Sequence, residues 1–301
     1  MPNQTSLLYA VAIDSPAADV VMIEEALAAS DFTPSSYTSK ETGRAITYLI
    51  GDDEQDAREK CRLAGACLEG WKDLLSATPS IDVRLIQKED WAESWKKHFH
   101  TFRATNRIVV RPSWEEYTPL PGDLVLSLDP GMCFGTGYHG TTRACLTYLD
   151  KLQAAHGRLS FIDAGTGSGI LAIGARLLGY QPVYAFDNDP QCIDTTCENL
   201  QKAGLDGVAP VHAALGEYVP PQPCNVVAAN ILATVLLAQA EDVIALVDRN
   251  SSPAYLILSG ILIEQYPAVL ERYSALGAVE ISRRTLQEWT SGCFRIPPSH
   301  P

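Results

Sequence analysis

The sequence predicts an α/β protein in two units: a small α+β domain first, then a larger domain whose mostly parallel sheet is covered by helices on both faces. Three observations carry this. From about residue 105 onward, short apolar runs alternate with glycine turns and amphipathic stretches, so strand, turn and helix repeat. The first 87 residues alternate differently, as strand–helix–strand–strand–helix–strand. The chain has 301 residues, 46% hydrophobic and 20% charged, which is ordinary globular composition. At roughly 100–200 residues per domain, that length supports about two cores.

Within 1–87, Leu7 to Ile13 is a short apolar strand that Asp14 ends. Ser15 and Pro16 then have the character of an N-cap and a first helical residue. Val20, Ile23 and Leu27 follow at helical spacing. Strands are expected around Thr33–Thr38 and Arg44–Ile50, and a second helix from Gln55 to Leu75 with Ala57, Cys61, Ala64 and Leu68 on one stripe. Ile81–Ile86 closes the set as a strand. The order βαββαβ describes a ferredoxin-like unit. It holds no cluster of titratable groups suited to chemistry and is expected to recognise or pack. Residues 88–104 read as a linker helix, with Trp91, Trp95, Phe99 and Phe102 on one face, packed between the domains or turned to a substrate.

The domain over 105–301 carries strand candidates at Leu159–Ala164, Val183–Asp187, Ala209–Ala213, Asn225–Asn230, Ala254–Ser259, Val279–Arg284 and Cys293–Ile296. Helical stretches lie between most of them, which calls for a parallel sheet with both faces covered. The last two strands have little between them and predict an antiparallel hairpin at one edge.

Composition removes several classes of function. With 23 Lys and Arg against 36 Asp and Glu, the net charge is −13, which disfavours a broad basic face gripping phosphate backbones. The eight cysteines form no C-x-x-C pair, and with six scattered histidines there is no zinc-like spacing. The run Leu7–Ile13 is too short to span a bilayer and follows no basic segment. A reduced, cytoplasmic protein without membrane anchor, structural metal or direct nucleic-acid binding is expected.

The chemistry concentrates in four places. Phe161-Ile-Asp-Ala-Gly-Thr-Gly-Ser-Gly-Ile-Leu-Ala-Ile173 is a strand running through glycines 165, 167 and 169 into a helix. Glycine there permits positive φ and close approach to a ligand. A dinucleotide fingerprint needs its third glycine or alanine at 170, where this chain has Ile170. G-x-G-x-G suits a nucleoside without a pyrophosphate instead. Asp187 ends the next strand at the ~20-residue spacing from Gly165 from which a carboxylate grips both ribose hydroxyls. Asp189, directly before Pro190, reads as a helix N-cap. Asn230 ends a buried strand, where its amide oxygen could accept a substrate N–H or cap the following helix. Upstream, the glycine-dense run 128–142 feeds a helix beginning near Thr141 and suggests a loop folded over a ligand. Thr141 or Thr142 could cap that helix or touch the ligand, and His139 there reads as structural rather than as a general base.

These blocks, LDPGMCFGTGYHGTT, FIDAGTGSGILAI, FDNDP and NVVAANIL, continue into LILSGIL and LQEWTSG. In that order, with WAESWKKHFHTF ahead of them, they resemble the PrmA family over about residues 88–293. Its members are bacterial methyltransferases of large-subunit ribosomal protein eleven that use S-adenosylmethionine. The resemblance implies a class I, Rossmann-like methyltransferase fold, with a seven-stranded sheet whose last strand is antiparallel. It also implies a small N-terminal domain that captures the basic ribosomal protein. It maps ligand positions onto Thr142, Gly165, Asp187 and Asn230, with Asp163, Gly167 and Phe134 nearby, and makes Asn230 the residue that orients the amine. The chain departs at Tyr138 and Gly140, where the family usually has Thr and Pro; the helix loses a rigid start and a bulkier Tyr narrows the pocket. The rival readings keep the cofactor but change the acceptor to another protein or a small molecule, or keep binding without catalysis.

Overall fold

A computed structural model of the chain describes residues 7–28, 30, 32, 34–39, 42–87, 99–129, 133, 135, 137, 140–250 and 253–298. Two compact units emerge, Met1–Phe99 and His100–Pro301.

In the first unit, β1 (Leu7–Pro16), α1 (Val20–Ala28), β2 (Ser35–Ser39), β3 (Arg44–Gly51), α2 (Glu54–Gly70) and β4 (Ser80–Gln87) follow the expected order. They form one sheet, β2-β3-β1-β4. β1 lies antiparallel to both β3 and β4. Val11, Ile13 and Leu49 meet Ile23, Leu27, Ala64 and Leu68 in a dry core, so both helices cover the same face of the sheet. The expected helix start at Ser15 and Pro16 needs correction. Ser15 pairs with Ala45 and Pro16 with Arg44, so the ladder to β3 carries the strand past Asp14. A 3-10 turn over Ala17–Asp19 then leads into α1.

The expected linker helix lies mostly outside the described residues, Trp91 and Trp95 included. Its last part is a strand: β5 (Phe102–Arg103) is antiparallel to β6 (Ile108–Arg111), with Phe102 opposite Val110. The hydroxyl of Thr105 accepts from the N–H groups of Arg107 and Ile108 at 3.1 and 2.9 Å. That side-chain turn takes donors a helix would use and reverses the chain instead. β6 is parallel to β7 (Leu124–Ser127), completing a three-stranded sheet the sequence pattern did not announce.

The second unit is organised by β8 (Phe161–Ala164), β9 (Val183–Asp187), β10 (Val211–His212), β11 (Val226–Asn230), β12 (Tyr255–Leu262), β13 (Val279–Leu286) and β14 (Trp289–Arg295). Their order is β10-β9-β8-β11-β12-β14-β13. The first five are parallel. β14 is antiparallel to both β12 and β13, which forms the edge. This is the seven-stranded α/β sheet of class I methyltransferases. Its helices are α3 (Gly140–His156), α4 (Ile170–Leu178), α5 (Pro190–Lys202), α6 (Ala233–Ala238), α7 (Ala240–Ala245) and α8 (Tyr266–Ala275). From β8 the chain proceeds outward through β9 to β10, then returns to lay β11 on the other side of β8. In an open α/β sheet, such a reversal leaves a crevice at the carboxyl ends of the strands. Among the described residues, no helix is long and apolar enough to cross a membrane.

Candidate functional site

The crevice is walled by the ends of β8, β9 and β11, and each end carries one of the residues singled out from the sequence. β8 is fully buried and runs into Gly165, Gly167 and Gly169, all at positive φ, +72°, +56° and +81°. The N–H groups of Gly165 and Thr166 both donate to the Phe186 carbonyl at 3.0 Å, which folds the turn against β9. A Cβ on Gly165 would stand 2.4 Å from Ile231 Cγ2, and one on Gly169 2.7 Å from Thr196 Cγ2. Positive φ and this crowding together make glycine the residue these two positions require.

Asp187 ends β9 and is 8% exposed. Its Oδ2 accepts the Gly167 N–H at 2.8 Å and its Oδ1 the Asp189 N–H at 3.0 Å. Burial pushes its carboxyl up, while those N–H groups and that of Asn188 pull the other way. Each oxygen keeps acceptor capacity for a further donor, as a diol requires. Asp189 is the expected N-cap: its side chain accepts from Gln191 N and Pro190 opens α5.

Asp163 turns inward. It is 1% exposed, and its Oδ2 accepts the Thr166 hydroxyl at 2.8 Å and the Ala172 N–H at 3.0 Å. It therefore ties the glycine turn to the first turn of α4. Burial pushes its carboxyl up to about 8, against the pull of those two hydrogen bonds. Asn230 ends β11 with its Nδ2 3.5 Å from Thr142 Oγ1. Thr142 is wholly buried in the first turn of α3. The Asn230 Oδ1 is buried without a partner among the described residues. An orphaned buried acceptor costs about 1–3 kcal/mol, so at the mouth of a crevice it marks a place for a donor from outside the chain.

The upstream loop is described only at Cys133, Gly135 and Gly137. Phe134, Tyr138 and His139 lie outside the described residues. Gly140 opens α3, and a Cβ there would meet Leu286 Cβ at 3.1 Å, so the β13–β14 hairpin packs close against the start of that helix.

Sequence reasoning overlooked the support beneath the loop. Thr196 Oγ1 donates to the Gly167 carbonyl at 3.0 Å and Asn199 Nδ2 to the Ser168 carbonyl at 2.8 Å. The Ser168 hydroxyl donates to the Gly135 carbonyl at 2.5 Å. A signal existed: Cys192, Thr196 and Asn199 fall on one helical stripe, and that stripe is the buried one. Polar residues on a buried helix face need partners, and here the partners are the glycine turn's own carbonyls.

A cavity of about 500 Å³ lies elsewhere, lined by Tyr9, Cys61, Val83, Leu85 and the charged Glu54, Arg58 and Arg62. All of them belong to the first unit. Its mixed charges hold no arrangement of nucleophile, base and acceptor, so the chemistry is assigned to the strand-end crevice.

The family model for ribosomal protein L11 methyltransferase (PrmA) matches residues 9–295. The ribosomal protein L11 methyltransferase of Citrifermentans bemidjiense is 43% identical over 221 residues, 71% of this chain and 70% of its own length. That of Herpetosiphon aurantiacus is 33% identical over 300 residues, covering 92% of this chain and 90% of its own. A crystal structure of a ribosomal protein L11 methylase from Lactobacillus delbrueckii subsp. bulgaricus superposes with a TM-score of 0.60 at 27% identity, over 66% of this chain and all of that one. With a match from the first strand to the last, and the glycine turn, Asp187 and Asn230 gathered at one sheet edge, the chain belongs to the PrmA family of ribosomal protein L11 methyltransferases.

Proposed function

We propose that the crevice binds S-adenosylmethionine and that the chain transfers its methyl group to amines of ribosomal protein L11, both lysine side chains and the N-terminal amine being candidates. The observation that carries this is the pairing, at one topological switch point, of a diol-ready Asp187 with an orphaned Asn230 acceptor. The residues fit the group. Asp187 would take the ribose hydroxyls, Gly165 and Gly167 leave room for close backbone approach, and Thr142 and Asn230 line the far wall. Phe134 is assigned to the same site by the family pattern. When bound, S-adenosylmethionine supplies an electrophilic methyl on a sulfonium that an amine lone pair can displace in line.

The chain's own task is then alignment and proton control. Holding reactants in line can supply about 7–11 kcal/mol of the barrier. The Asn230 Oδ1 accepts one amine N–H and aims the lone pair. A lysine amine, with a reference pKa of about 10.4, must shed its proton first, and nearby carboxylates oppose that. Asp163 holds its own proton up to about pH 8, which removes one negative charge beside the crevice near neutrality. Water takes the amine proton. The first unit, cut at residue 87 on the sequence pattern, is assigned to capture of the ribosomal protein, and the enzyme is assigned to the cytoplasm on the ground that its acceptor is a ribosomal protein.

The test is methyl transfer from labelled S-adenosylmethionine to purified L11, with modified residues located by mass spectrometry. Label on L11 amines supports the proposal. A chain that binds the cofactor yet leaves L11 unlabelled, while labelling another component of a lysate, moves the acceptor elsewhere.

A further inference from the structure

Ile231, the residue after Asn230, is wedged between two glycines that belong to different strand ends. β11 lies between β8 and β12, with Ala229 opposite Ala164 and Asn230 opposite Ser259. The residue that follows each of those partners is a glycine at positive φ, Gly165 at +72° and Gly260 at +79°. Neither glycine has space for a side chain, and in both cases Ile231 is the obstacle. A Cβ on Gly165 would collide with the Ile231 γ2 methyl. One on Gly260 would stand 2.7 Å from the Ile231 carbonyl oxygen and 3.3 Å from its nitrogen. The side chain of Ile231 therefore presses on the glycine turn. Its backbone presses on β12, where that strand shifts register between Leu258 and Ile261.

The two sides of the γ2 contact are not equally anchored. The glycine turn is fastened by the Phe186 carbonyl, which takes the N–H groups of Gly165 and Thr166, and by the side chains of Thr196 and Asn199. Among the described residues, the Asn230 amide has only the 3.5 Å contact from Nδ2 to Thr142 Oγ1, at the outer limit of a hydrogen bond. Loosening Ile231 would therefore release Asn230 and leave the turn in place. Isoleucine suits the task, because a side chain branched at Cβ is stiff about χ1 and holds its γ2 methyl at a fixed place.

We infer that Ile231 is a positioning residue for methyl transfer: its γ2 methyl, set against Gly165, fixes the distance between the glycine turn that holds the donor and the Asn230 oxygen that holds the amine. The inference rests on the proposed assignment of donor and amine to those two places. An in-line displacement depends on that distance, and a misplacement of about 1 Å costs on the order of 10²-fold in rate. What the position requires is then branching at Cβ rather than volume. Ile231→Val keeps a methyl at the γ2 place and loses volume. Ile231→Leu keeps the volume and moves the branch one carbon outward. A space-filling role ranks the leucine variant above the valine variant; the γ2 contact ranks them in the reverse order.

The experiment compares the full chain with Ile231→Val and Ile231→Leu in three readouts: single-turnover methyl transfer to L11, S-adenosylhomocysteine affinity by calorimetry, and thermal unfolding. Ile231→Val is expected within about twofold of the parent rate and Ile231→Leu slower by on the order of tenfold or more, with affinity in both within about twofold of the parent. Ile231→Leu at the parent rate, or Ile231→Val slower than Ile231→Leu, overturns the inference. Equal losses of rate and affinity in Ile231→Leu overturn it as well, because the turn and not Asn230 has then moved. So does an Ile231→Leu chain that fails to fold, which makes the role structural. A parent that binds S-adenosylhomocysteine but labels another lysate component instead of L11 changes the acceptor, and the same ranking is read on that component. A parent that binds no S-adenosylhomocysteine, or labels nothing, fails the proposed function itself, and the inference falls with it.

Discussion

Helix α2 of the first unit and the strand ends of the second place their charged and polar side chains in opposite ways. In the first, α2 carries its charges outward: Arg58 pairs with Glu54, Lys60 with Asp56 and Arg62 with Glu59, at 2.6–2.7 Å and one helical turn apart. In the second, Asp163, Thr142, Ser168, Thr196 and Asn199 are all buried at the carboxyl edge of the sheet, where Thr196 and Asn199 hold the backbone of the glycine turn and Asp163 and Ser168 tie that turn to its neighbours. Exposed pairs are screened and contribute ~0–1 kcal/mol. Buried polar networks act in a lower effective dielectric, where a lost partner is expensive. The lesson is that ion pairs do not locate the chemistry, since both units carry them on their surfaces. The proposed chemistry lies where buried polar side chains support a glycine turn and one acceptor, the Asn230 Oδ1, has no partner among the described residues.

Four substitutions test that contrast, from the largest effect to the smallest. Asn230→Ala removes the orphaned acceptor, and the single-turnover rate of methyl transfer should fall about 10²-fold, the scale of a removed transition-state hydrogen bond. Cofactor affinity should change far less; an equal loss in both would make Asn230 a binding residue only. Asp187→Ala should weaken S-adenosylmethionine binding by roughly 1.5–3 kcal/mol in calorimetry, and unaltered affinity would remove the carboxylate from the ribose role.

Asp163→Asn probes the network through pH. With a folded value of about 8 against 3.8, the folded state keeps a proton that the unfolded chain releases. The stability linked to that proton is full below about 3.8 and lost as pH rises through about 8. An asparagine oxygen can still accept from Thr166 and Ala172, so denaturation at pH 5 and pH 8 should show the variant gaining on the parent as pH rises. A gap between the two that stays constant would mean Asp163 is ionised throughout. Finally, Arg58→Ala on α2 should alter unfolding stability by no more than about 0.5 kcal/mol.

Much of this was legible in advance, for reasons tied to particular residues. Val183–Asp187 is legible with its observed bounds, because a mostly buried parallel strand is a short apolar run between turns. Asp189 is legible as a cap, because an acidic residue directly before proline matches the N-cap and first helical position. The three-stranded sheet of β5, β6 and β7 was not legible. Its strands are only two to four residues long, below the length at which a period shows. Phe102 looked helical because aromatic spacing alone cannot reveal that Thr105 captures two backbone donors three residues on. At the site, strand-end residues could be found one at a time. Thr196 and Asn199 signal only a need for partners, as polar residues on a buried helical stripe; the partners themselves are carbonyls of a turn that exists only once α5 packs against it.

The central claim is that Asp187 and the glycine turn hold the adenosyl end of S-adenosylmethionine at the carboxyl edge of β8 and β9. A crystal structure of the full chain with S-adenosylhomocysteine reads this directly. Ribose hydroxyls within hydrogen-bond distance of the Asp187 carboxylate, beside the backbone of Gly165 and Gly167, are the predicted result. Ligand density at any other place, with Asp187 contacting only its backbone donors, contradicts it.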